Sequence, residues 1–327
     1  MKVLICGYNL YGYLDSIKKG FIKAGCDVKT FHHKNVSIRK LRHGSLLKRL
    51  FAWIRLKQIN NSLKKTFLNF MPELTLCING SSVLPETASF LSNNSMSVLW
   101  LVDSLERVAT SINTVTEFKK VFVFEPTDTK KIQGSEYLPY GFDEDIYFKK
   151  DIKKVYDVSF VGAGHTERYE PLNEIARLCD CEGIKMHVFG PFTLFKKRAE
   201  YRKRYPFLFK AIVQNKRISP PSVNEIYNQS WININVHHPQ SKEGINPRTF
   251  EIAGSGNFQL VEEKKVLRMF FEKDEMITYS DIKDLKDKIV YFLRNKEKLF
   301  EISKKALKRA IQEHTFTHRA VYILDRV

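Results

Sequence analysis

Two arginines in the second half of the sequence are placed to bind a phosphate group. Arg248 follows Pro247, which is predicted to open a helix, and Arg168 lies early in a preceding helix. A guanidinium group can bind a phosphate through two parallel hydrogen bonds, and a helix N-terminus favours the same negative charge. Gly162 and Gly190 each follow a predicted strand and allow close approach to the backbone. These residues predict a site for a diphosphate-bearing ligand.

Two carboxylates extend this prediction. Glu251, in the first turns of the helix that Pro247 opens, is placed to accept hydrogen bonds from the hydroxyl groups of a ribose. Asp103 directly follows a predicted buried strand, so it either caps the next helix or faces a second substrate. Both alternatives for Asp103 are open from the sequence.

The hydrophobic pattern predicts two α/β halves that position these residues. The strands predicted in the first half are 2–7, 27–31, 72–79, 97–103 and 120–124, with helices at about 13–24 and 45–70. The strands predicted in the second half are 157–161, 186–189, 231–236 and 258–261, and the chain from about 283 onward is helical. Such alternation is typical of parallel sheets covered by helices on both faces. The glycine spacing after the first strand does not fit a dinucleotide-binding turn.

Composition narrows the class of protein. A chain of 327 residues, with 43% hydrophobic and 28% charged residues, is neither fibrous nor disordered and is long enough for two domains. No run approaches the roughly 18 apolar residues of a membrane-spanning helix. Five scattered cysteines, an odd number, disfavour a disulfide framework. We therefore expect a two-domain cytoplasmic protein.

Two segments carry the excess positive charge of +18. Residues 28–72 contain eleven Lys or Arg and no acid, and residues 196–217 contain nine Lys or Arg with one acid. The segments are solvated faces, contacts for an anionic membrane, or nucleic-acid sites. Interleaved Leu, Phe, Trp and Tyr residues favour peripheral membrane contact, with packing of Leu46, Leu50 and Ile54 in the core as the competing interpretation. The lack of a recognition motif disfavours nucleic acid.

Metal binding is disfavoured by local context. His237 and His238 are adjacent at a predicted strand, so they point to opposite faces and fit a loop that contacts a ligand better than a metal pair. Asp143 and Asp145 imitate a metal motif, but they lie in a predicted linker, where we expect a solvated turn.

A series of short motifs lies, in order, within residues 72–325. They are Trp100-x-x-Asp103, Tyr137-Leu-Pro-Tyr-Gly-Phe-Asp143, Asp157-Val-Ser-Phe-Val-Gly162 with Arg168, Val188-Phe-Gly190, Asn246-Pro-Arg-Thr-Phe-Glu251 with Gly254, Gly256 and Phe258, and His314-Thr315 with Arg319. In order and spacing they resemble the CgeB-like glycosyltransferases, which are GT-B enzymes with a group 1-type C-terminal domain. The resemblance is strongest from residue 155 onward, and the first 70 residues match poorly, as suits a domain for a variable acceptor.

The resemblance implies a GT-B fold with two Rossmann-like domains facing each other across a cleft. It implies an acceptor-side domain at 1–145, a nucleotide-sugar-binding domain at 152–311, and a final helix at about 312–327 that crosses back. The implied donor-binding residues are Gly162, Arg168, Gly190, Asn246, Arg248, Thr249 and Glu251.

The resemblance also implies an activity. Glu243 and Glu251 match the Glu-x7-Glu pattern of many retaining GT-B enzymes, in which the first acid contacts the donor sugar. Asp103 then orients the acceptor or removes its proton. The implied reaction moves a sugar from a nucleotide-sugar donor to a glycan or lipid-linked hydroxyl acceptor in bacterial surface glycan synthesis, with no metal ion and no further cofactor. A nucleotide-sugar epimerase of the same fold and a non-catalytic binding module are the alternatives.

Overall fold

The computed structural model describes residues 1–33, 45–108, 112–192, 198–238 and 241–327. The chain divides into two compact units. Unit 1 comprises Met1–Gly141, Gln240–Gly244 and Phe316–Val327, and unit 2 comprises Phe142–Pro239 and Ile245–Thr315. Residues 142–145 and 312–315, which the resemblance places with the N-terminal domain, thus belong to unit 2.

Unit 1 is built on a six-stranded parallel sheet in the order β2-β1-β3-β4-β5-β6. Its strands are β1 (Lys2–Gly7), β2 (Asp27–His32), β3 (Leu74–Ile78), β4 (Met96–Leu101), β5 (Lys120–Val123) and β6 (Glu136–Tyr137). Its first helices are α1 (Tyr13–Lys23), α2 (Leu46–Phe70), α3 (Pro85–Asn94) and α4 (Ile112–Val115), with a 3-10 helix at Pro126–Lys130. The predicted strands and the helices at about 13–24 and 45–70 are confirmed.

Both faces of this sheet are covered, as its apolar strands require. Val3 and Ile5 of β1 pack in the cluster that contains α1, and Leu4 and Cys6 pack in the cluster on the opposite face with α2. Alternate side chains of a strand point to opposite faces, so an unbroken apolar run needs helices on both sides.

Unit 2 has a second six-stranded parallel sheet in the order β12-β11-β10-β7-β8-β9. Its strands are β7 (Tyr156–Val161), β8 (Met186–Phe189), β9 (Ile212–Gln214), β10 (Ser230–Asn235), β11 (Gln259–Glu262) and β12 (Ile277–Tyr279). Its helices are α5 (Thr166–Cys181), α6 (Arg198–Arg204), α7 (Pro206–Ala211), α8 (Pro220–Gln229), α9 (Arg248–Gly254), α10 (Ile282–Arg294) and α11 (Lys296–Glu313), with a 3-10 helix at Lys265–Met269. The two edge strands, β9 and β12, have three residues each and were not predicted.

The last helix, α12 (Phe316–Leu324), belongs to unit 1. It packs so closely on α1 that a Cβ atom at Gly20 would lie 2.5 Å from the Phe316 carbonyl oxygen. Arg319 is buried and donates hydrogen bonds to the carbonyl oxygens of Pro139 and Tyr140 at 3.0 and 3.4 Å. Burial lowers the pKa of Arg319 to about 10. Arg319, the last residue of the motif series, therefore makes a structural contact within unit 1.

Candidate functional site

The carboxyl ends of β7 and β8 meet at two glycines. Gly190, which follows β8, has a φ of +130°, and a Cβ atom built on it would lie 2.0 Å from the Gly162 carbonyl oxygen. Gly162 follows β7 and donates its N–H to the Phe189 carbonyl oxygen at 2.9 Å. Because no side chain fits between backbones at this distance, the neighbouring loop itself requires glycine at position 190.

Arg248 is a half-buried cation at the same edge of the sheet. A Cβ atom on Gly162 would lie 3.0 Å from the Arg248 Nη2 atom, so the guanidinium group lies against that backbone. The guanidinium carbon is 6.0 Å from the ring centroid of Phe160. Among the residues that the structure describes, none accepts a hydrogen bond from this guanidinium group or forms an ion pair with it. An anionic ligand would compensate this partly desolvated charge.

Arg168 supplies a second cation from the first turn of α5. Its side chain is buried and donates to the carbonyl oxygens of Ala163 and Val236 at 3.2 and 3.1 Å. Its guanidinium carbon is 5.8 Å from the centroid of the same Phe160 ring. The charges of Arg168 and Arg248 thus act on one small volume beside this ring, as an anion site requires.

His237, which follows β10, adds a group outside the predicted donor-binding set. Its side chain is 3% exposed, and its Nδ1 atom accepts the Asn246 N–H at 3.3 Å. Burial, and then the charges of Lys264 and the two arginines, lower the pKa of His237 to about 3. The imidazole is therefore neutral with its proton on Nε2. In the described part of the chain this buried Nε2 atom has no hydrogen-bond partner, so it is a donor available to a ligand.

Asn246 and Thr249, which the resemblance implies as donor-binding residues, use their polar groups inside unit 2. The Asn246 Nδ2 atom donates to Asn235 Oδ1 at 2.8 Å, and Asn246 Oδ1 accepts the Thr249 N–H at 3.3 Å. The Thr249 hydroxyl group accepts a hydrogen bond from Asn235 Nδ2 at 3.1 Å. These bonds hold the loop between β10 and α9, so both residues position Arg248. Direct contact of either with a ligand stays a prediction.

The first turn of α9 satisfies its own backbone N–H groups. The Thr249 N–H donates to the Asn246 carbonyl oxygen at 3.2 Å, and the Phe250 and Glu251 N–H groups donate to the Pro247 carbonyl oxygen at 3.0 Å. The expected row of free N–H groups facing a pyrophosphate is therefore not found at 249–251. The arginine side chains, rather than the end of this seven-residue helix, carry the positive charge.

Glu251 is buried in the same turn. Its carboxylate acts electrostatically on the hydroxyl group of Tyr147. Burial, together with the charge of Glu251, raises the pKa of Tyr147 well above its usual value. Tyr147 therefore stays protonated. A carboxylate can accept several hydrogen bonds, for example from ribose hydroxyl groups, and this role of Glu251 stays a prediction.

Asp103 lies at the carboxyl end of the sheet in unit 1, directly after β4. Its Oδ2 atom accepts a hydrogen bond from Asn79 Nδ2 at 3.1 Å, and its Oδ1 atom is 3.9 Å from Arg107 Nη1. The Asn79 Oδ1 atom also accepts the Val102 N–H at 2.8 Å. Asn79 therefore orients the partly exposed carboxylate of Asp103.

Glu243 also belongs to unit 1, through the segment Gln240–Gly244. Its backbone N–H donates to Glu125 Oε1 at 3.0 Å, and that of Gly244 donates to Glu125 Oε2 at 3.3 Å. Glu125 is buried just after β5, so its carboxylate fixes the backbone of this segment. The Glu243 side chain is exposed, and Glu251 of the Glu-x7-Glu pattern lies in the other unit.

The first half of α2, in the first basic segment, exposes its apolar side chains. Residues 34–44 lie outside the described residues, but α2 begins at Leu46. Leu46, Leu50 and Ile54 are all exposed. The interpretation that packs these three side chains in the core is therefore wrong.

The second basic segment, in contrast, packs its aromatic side chains in a core. Residues 196 and 197 lie outside the described residues. Tyr201, Tyr205 and Phe209 pack around Tyr169 with ring centroids 5.0, 5.4 and 6.4 Å from its own. These aromatic side chains form part of the core of unit 2, which leaves the charges at 202–204 exposed. Their interleaving with basic residues is explained by packing.

The described ranges contain neither a metal-binding cluster nor a membrane-spanning helix. No group of three or more His, Cys, Asp or Glu side chains there is arranged to hold a metal ion. The His238 ring packs edge-on against His165, with centroids 4.3 Å apart. Residues 144–146 form the expected turn and Asp145 is exposed, but Asp143 is buried and accepts the Asp145 N–H at 3.0 Å, so the expectation that Asp143 is solvated is wrong. No described helix is long and apolar enough to cross a membrane.

A comparison with known protein families shows what the second half of the chain is similar to. Residues 168–325 match the glycosyl transferase-like family. The match begins at Arg168 and includes His237, Arg248 and Glu251. The predicted activity class, a nucleotide-sugar-dependent glycosyltransferase, is confirmed. Among curated proteins, no sequence matches the chain.

Solved structures show the same fold over nearly the whole chain. Sucrose-phosphate synthase (tll1590) from Thermosynechococcus elongatus is 11% identical, with a TM-score of 0.71 over 99% of this chain and 98% of that one. Trehalose-6-phosphate synthase OtsA is 9% identical, with a TM-score of 0.68 over 100% and 98%. HepE (Alr3699) of Anabaena, in complex with UDP-glucose, is 13% identical, with a TM-score of 0.66 over 100% of both chains. The predicted GT-B fold is confirmed.

Proposed function

We propose that this protein is a glycosyltransferase of the CgeB-like type, which moves a sugar from a nucleotide-sugar donor to a hydroxyl group of a glycan or lipid-linked acceptor. The observation that carries the proposal is the half-buried Arg248 guanidinium group, which lies against Gly162 and has no carboxylate partner among the described residues. A UDP-linked hexose is the first donor to test, because HepE was solved with UDP-glucose.

The proposed chemistry follows from the charge at this edge. In glycosyl transfer the bond between the anomeric carbon and the donor diphosphate breaks, and the diphosphate leaves with additional negative charge. Arg248 and Arg168 lie beside one ring, at 6.0 and 5.8 Å, where they can stabilise that charge. The His237 Nε2–H group adds a neutral donor. We propose that these side chains carry out this task without a metal ion or a further cofactor.

The remaining residues are assigned to the two substrates. Glu251 accepts hydrogen bonds from the donor ribose, and Glu243 contacts the donor sugar. Asp103, which Asn79 orients, positions the acceptor hydroxyl group or takes its proton. Asn246 and Thr249 hold the loop that carries Arg248. The Glu-x7-Glu spacing supports retention of configuration at the anomeric carbon.

The acceptor is proposed to be a bacterial surface glycan under synthesis at the cytoplasmic face of the membrane. The poor match of the first 70 residues to the resembled family and the basic charge of residues 28–72 support an acceptor specific to this protein.

A donor screen tests this function directly. The protein is mixed with UDP-glucose, UDP-N-acetylglucosamine, GDP-mannose and other nucleotide sugars, and both thermal unfolding and slow donor hydrolysis are followed. A bound donor at a hundredfold excess over its Kd stabilises the folded state by about 2.7 kcal/mol. Stabilisation that the Arg248→Ala variant loses supports the proposal, whereas the absence of any stabilising donor would overturn it.

The same samples separate the alternatives. Conversion of the free donor into its epimer, followed by NMR without any acceptor, would favour a nucleotide-sugar epimerase. Donor binding with neither hydrolysis, epimerisation nor transfer to any of a panel of glycan acceptors would favour a binding module.

A further inference from the structure

Helix α2 covers the sheet with only its second half. Its buried residues, Leu56, Asn60, Leu63 and Phe67, recur at intervals of three and four and so form one stripe. Leu63 and Phe67 pack in the cluster that contains Leu4 and Cys6 of β1. A helix of 25 residues is about 37 Å long, whereas a six-residue strand spans about 20 Å. The first half of α2 is therefore not needed to cover the strands.

This first half presents a different apolar face to solvent. Six large apolar residues are each 44–82% exposed: Leu46, Leu47, Leu50, Phe51, Trp53 and Ile54. At 100° per residue they span an arc of about 160°, centred about 130° away from the buried stripe. Such a surface on a soluble domain marks a place where something else binds. In the described part of the chain, the ring contact on this face comes from the same helix, where Lys57 Nζ lies 4.9 Å from the Trp53 ring centroid.

The charges around this face indicate its partner. Lys48, Arg49 and Arg55 flank the apolar arc, and residues 28–72 contain no acid. A second copy of the chain would bring the same positive charges against them, which disfavours self-association. An anionic lipid bilayer offers negative headgroups to the basic side chains and acyl chains to the apolar ones, and Trp is favoured at that boundary.

The position of the face within unit 1 agrees with this partner. Because α2 follows β2 in a parallel sheet, it begins at the carboxyl end of the sheet, the end at which Asp103 follows β4. The loop after β1 lies at the same end and exposes Tyr8, Leu10 and Tyr11. Exposed apolar side chains from two segments therefore gather at the edge proposed for the acceptor.

We propose that residues 46–54 of α2 dock unit 1 on an anionic membrane surface, with the six apolar side chains in the interface and the flanking basic side chains at the headgroups. Binding is reversible and salt-sensitive, because the segment lies in the surface rather than spanning it. The inference rests on the proposed function in one respect only: docking would give the enzyme access to a lipid-linked acceptor.

Vesicle binding by the full chain tests the proposal. Sedimentation with vesicles of phosphatidylcholine and phosphatidylglycerol (7:3) is compared with pure phosphatidylcholine at low and high NaCl. We expect at least tenfold stronger binding to the anionic vesicles at low salt and a marked loss at high salt. Trp53 fluorescence should shift to shorter wavelength with anionic vesicles, and the Trp53→Phe variant should lose that shift.

Two pairs of variants separate the roles of apolar and basic side chains. Leu50→Ser with Phe51→Ser should weaken vesicle binding at least tenfold, whereas Val213→Ser with Met269→Ser, also exposed, should not. Lys48→Gln, Arg49→Gln and Arg55→Gln together should remove the preference for anionic vesicles. The matched triple variant Arg202→Gln, Lys203→Gln and Arg204→Gln, in the other basic segment, should keep it. All these residues are exposed, so thermal unfolding midpoints should stay close to that of the wild type.

Other outcomes would overturn the proposal. Equal binding to both vesicle types, or none, would do so. Binding to duplex RNA or DNA that needs the basic but not the apolar side chains would point to nucleic acid, and a dimer that Leu50→Ser and Phe51→Ser dissociate would point to a second copy. Vesicle binding needs no donor, so transfer without vesicle binding overturns only this inference, and vesicle binding without nucleotide-sugar binding overturns only the proposed function.

Discussion

The two sheets have the same number of parallel strands, yet different charges follow their carboxyl ends. In unit 2, Arg248 lies beside Gly162, which follows β7, and Arg168 lies beside the ring of Phe160 in β7. In unit 1, Asp103 and Glu125 follow β4 and β5. Parallel topology puts the loops of each sheet at one edge, and the side chains in those loops decide which ligand the edge attracts. This difference supports our proposal that unit 2 binds the anionic donor and unit 1 an uncharged hydroxyl acceptor.

The largest expected effect is a loss of folding stability when a side chain is added at Gly190, where the backbones at the edge of unit 2 are closely packed. Gly190→Ala places a Cβ atom 2.0 Å from the Gly162 carbonyl oxygen at a φ of +130°. We expect a loss of about 3 kcal/mol or more in the free energy of unfolding, from overpacking and backbone strain together. Urea unfolding measures it.

Gly7→Ala in unit 1 is the matched control, because Gly7 likewise ends a central strand. A Cβ atom there would lie 3.0 Å from Ile78 Cβ, which is tight but less severe. An equal loss of stability in both variants would contradict the conclusion that the backbone at Gly190 is more closely packed than the backbone at Gly7.

Removing the Arg248 guanidinium group should affect nucleotide binding at the edge of unit 2 and not at the edge of unit 1. Arg248→Ala should raise the Kd for UDP, or for the nucleotide that the wild type binds, about 100-fold, which corresponds to about 2.7 kcal/mol. Arg248→Lys should recover part of this, since it keeps the charge but not the bidentate geometry. Isothermal titration calorimetry measures both. Arg107→Ala, beside Asp103 in unit 1, is the control and should leave the Kd unchanged.

The neutral His237 predicts a pH dependence of stability. Its pKa is about 3 when folded and about 6.5 when unfolded, so the unfolded chain takes up the proton first. Stability is complete above pH 6.5 and falls as the pH drops toward 3, by about 2 kcal/mol at pH 5. His237→Gln should remove this loss in urea unfolding at pH 7.5 and 5. His238→Gln keeps His237 and should retain it; equal losses in His237→Gln and the wild type would disprove this origin.

The smallest expected effect is at the edge of unit 1. Asp103→Asn should lower kcat/KM for the acceptor about tenfold, or about 1.4 kcal/mol, because an amide no longer accepts from the hydroxyl group as strongly. Its Kd for the nucleotide should equal that of the wild type. Steady-state transfer assays with calorimetry as a second readout measure both. A change in nucleotide affinity as large as that of Arg248→Ala would contradict the proposal that unit 2 binds the nucleotide and unit 1 the acceptor.

The long, strongly patterned elements were predictable from the sequence alone. The apolar run of β1 and the 25-residue helix α2 have local periods that need no partner to be recognised. The edge strands β9 and β12 were missed, because three residues are too few to show a period and pairing with a neighbouring strand defines them.

Part of the candidate site was predictable for a similar reason. Arg248 and Gly190 stand in short motifs, so their types and spacing were informative. Glu125 was missed because its hydrogen-bond partners, the N–H groups of Glu243 and Gly244, come 118 and 119 residues later. His237 was recognised only as one of two adjacent histidines. Its Nε2 atom, which has no hydrogen-bond partner among the described residues, is a result of burial and of the bond from Asn246 to Nδ1.

The sequence by itself determined the α/β alternation, the two parallel sheets and the motifs at strand ends, because these depend on residues close together in the chain. It also determined that two segments are basic and rich in apolar residues. Only the tertiary structure decided that Tyr201 and Tyr205 are packed in a core while Leu50 and Phe51 face solvent. Both segments carry similar local patterns, and burial of an apolar side chain depends on which distant elements cover it.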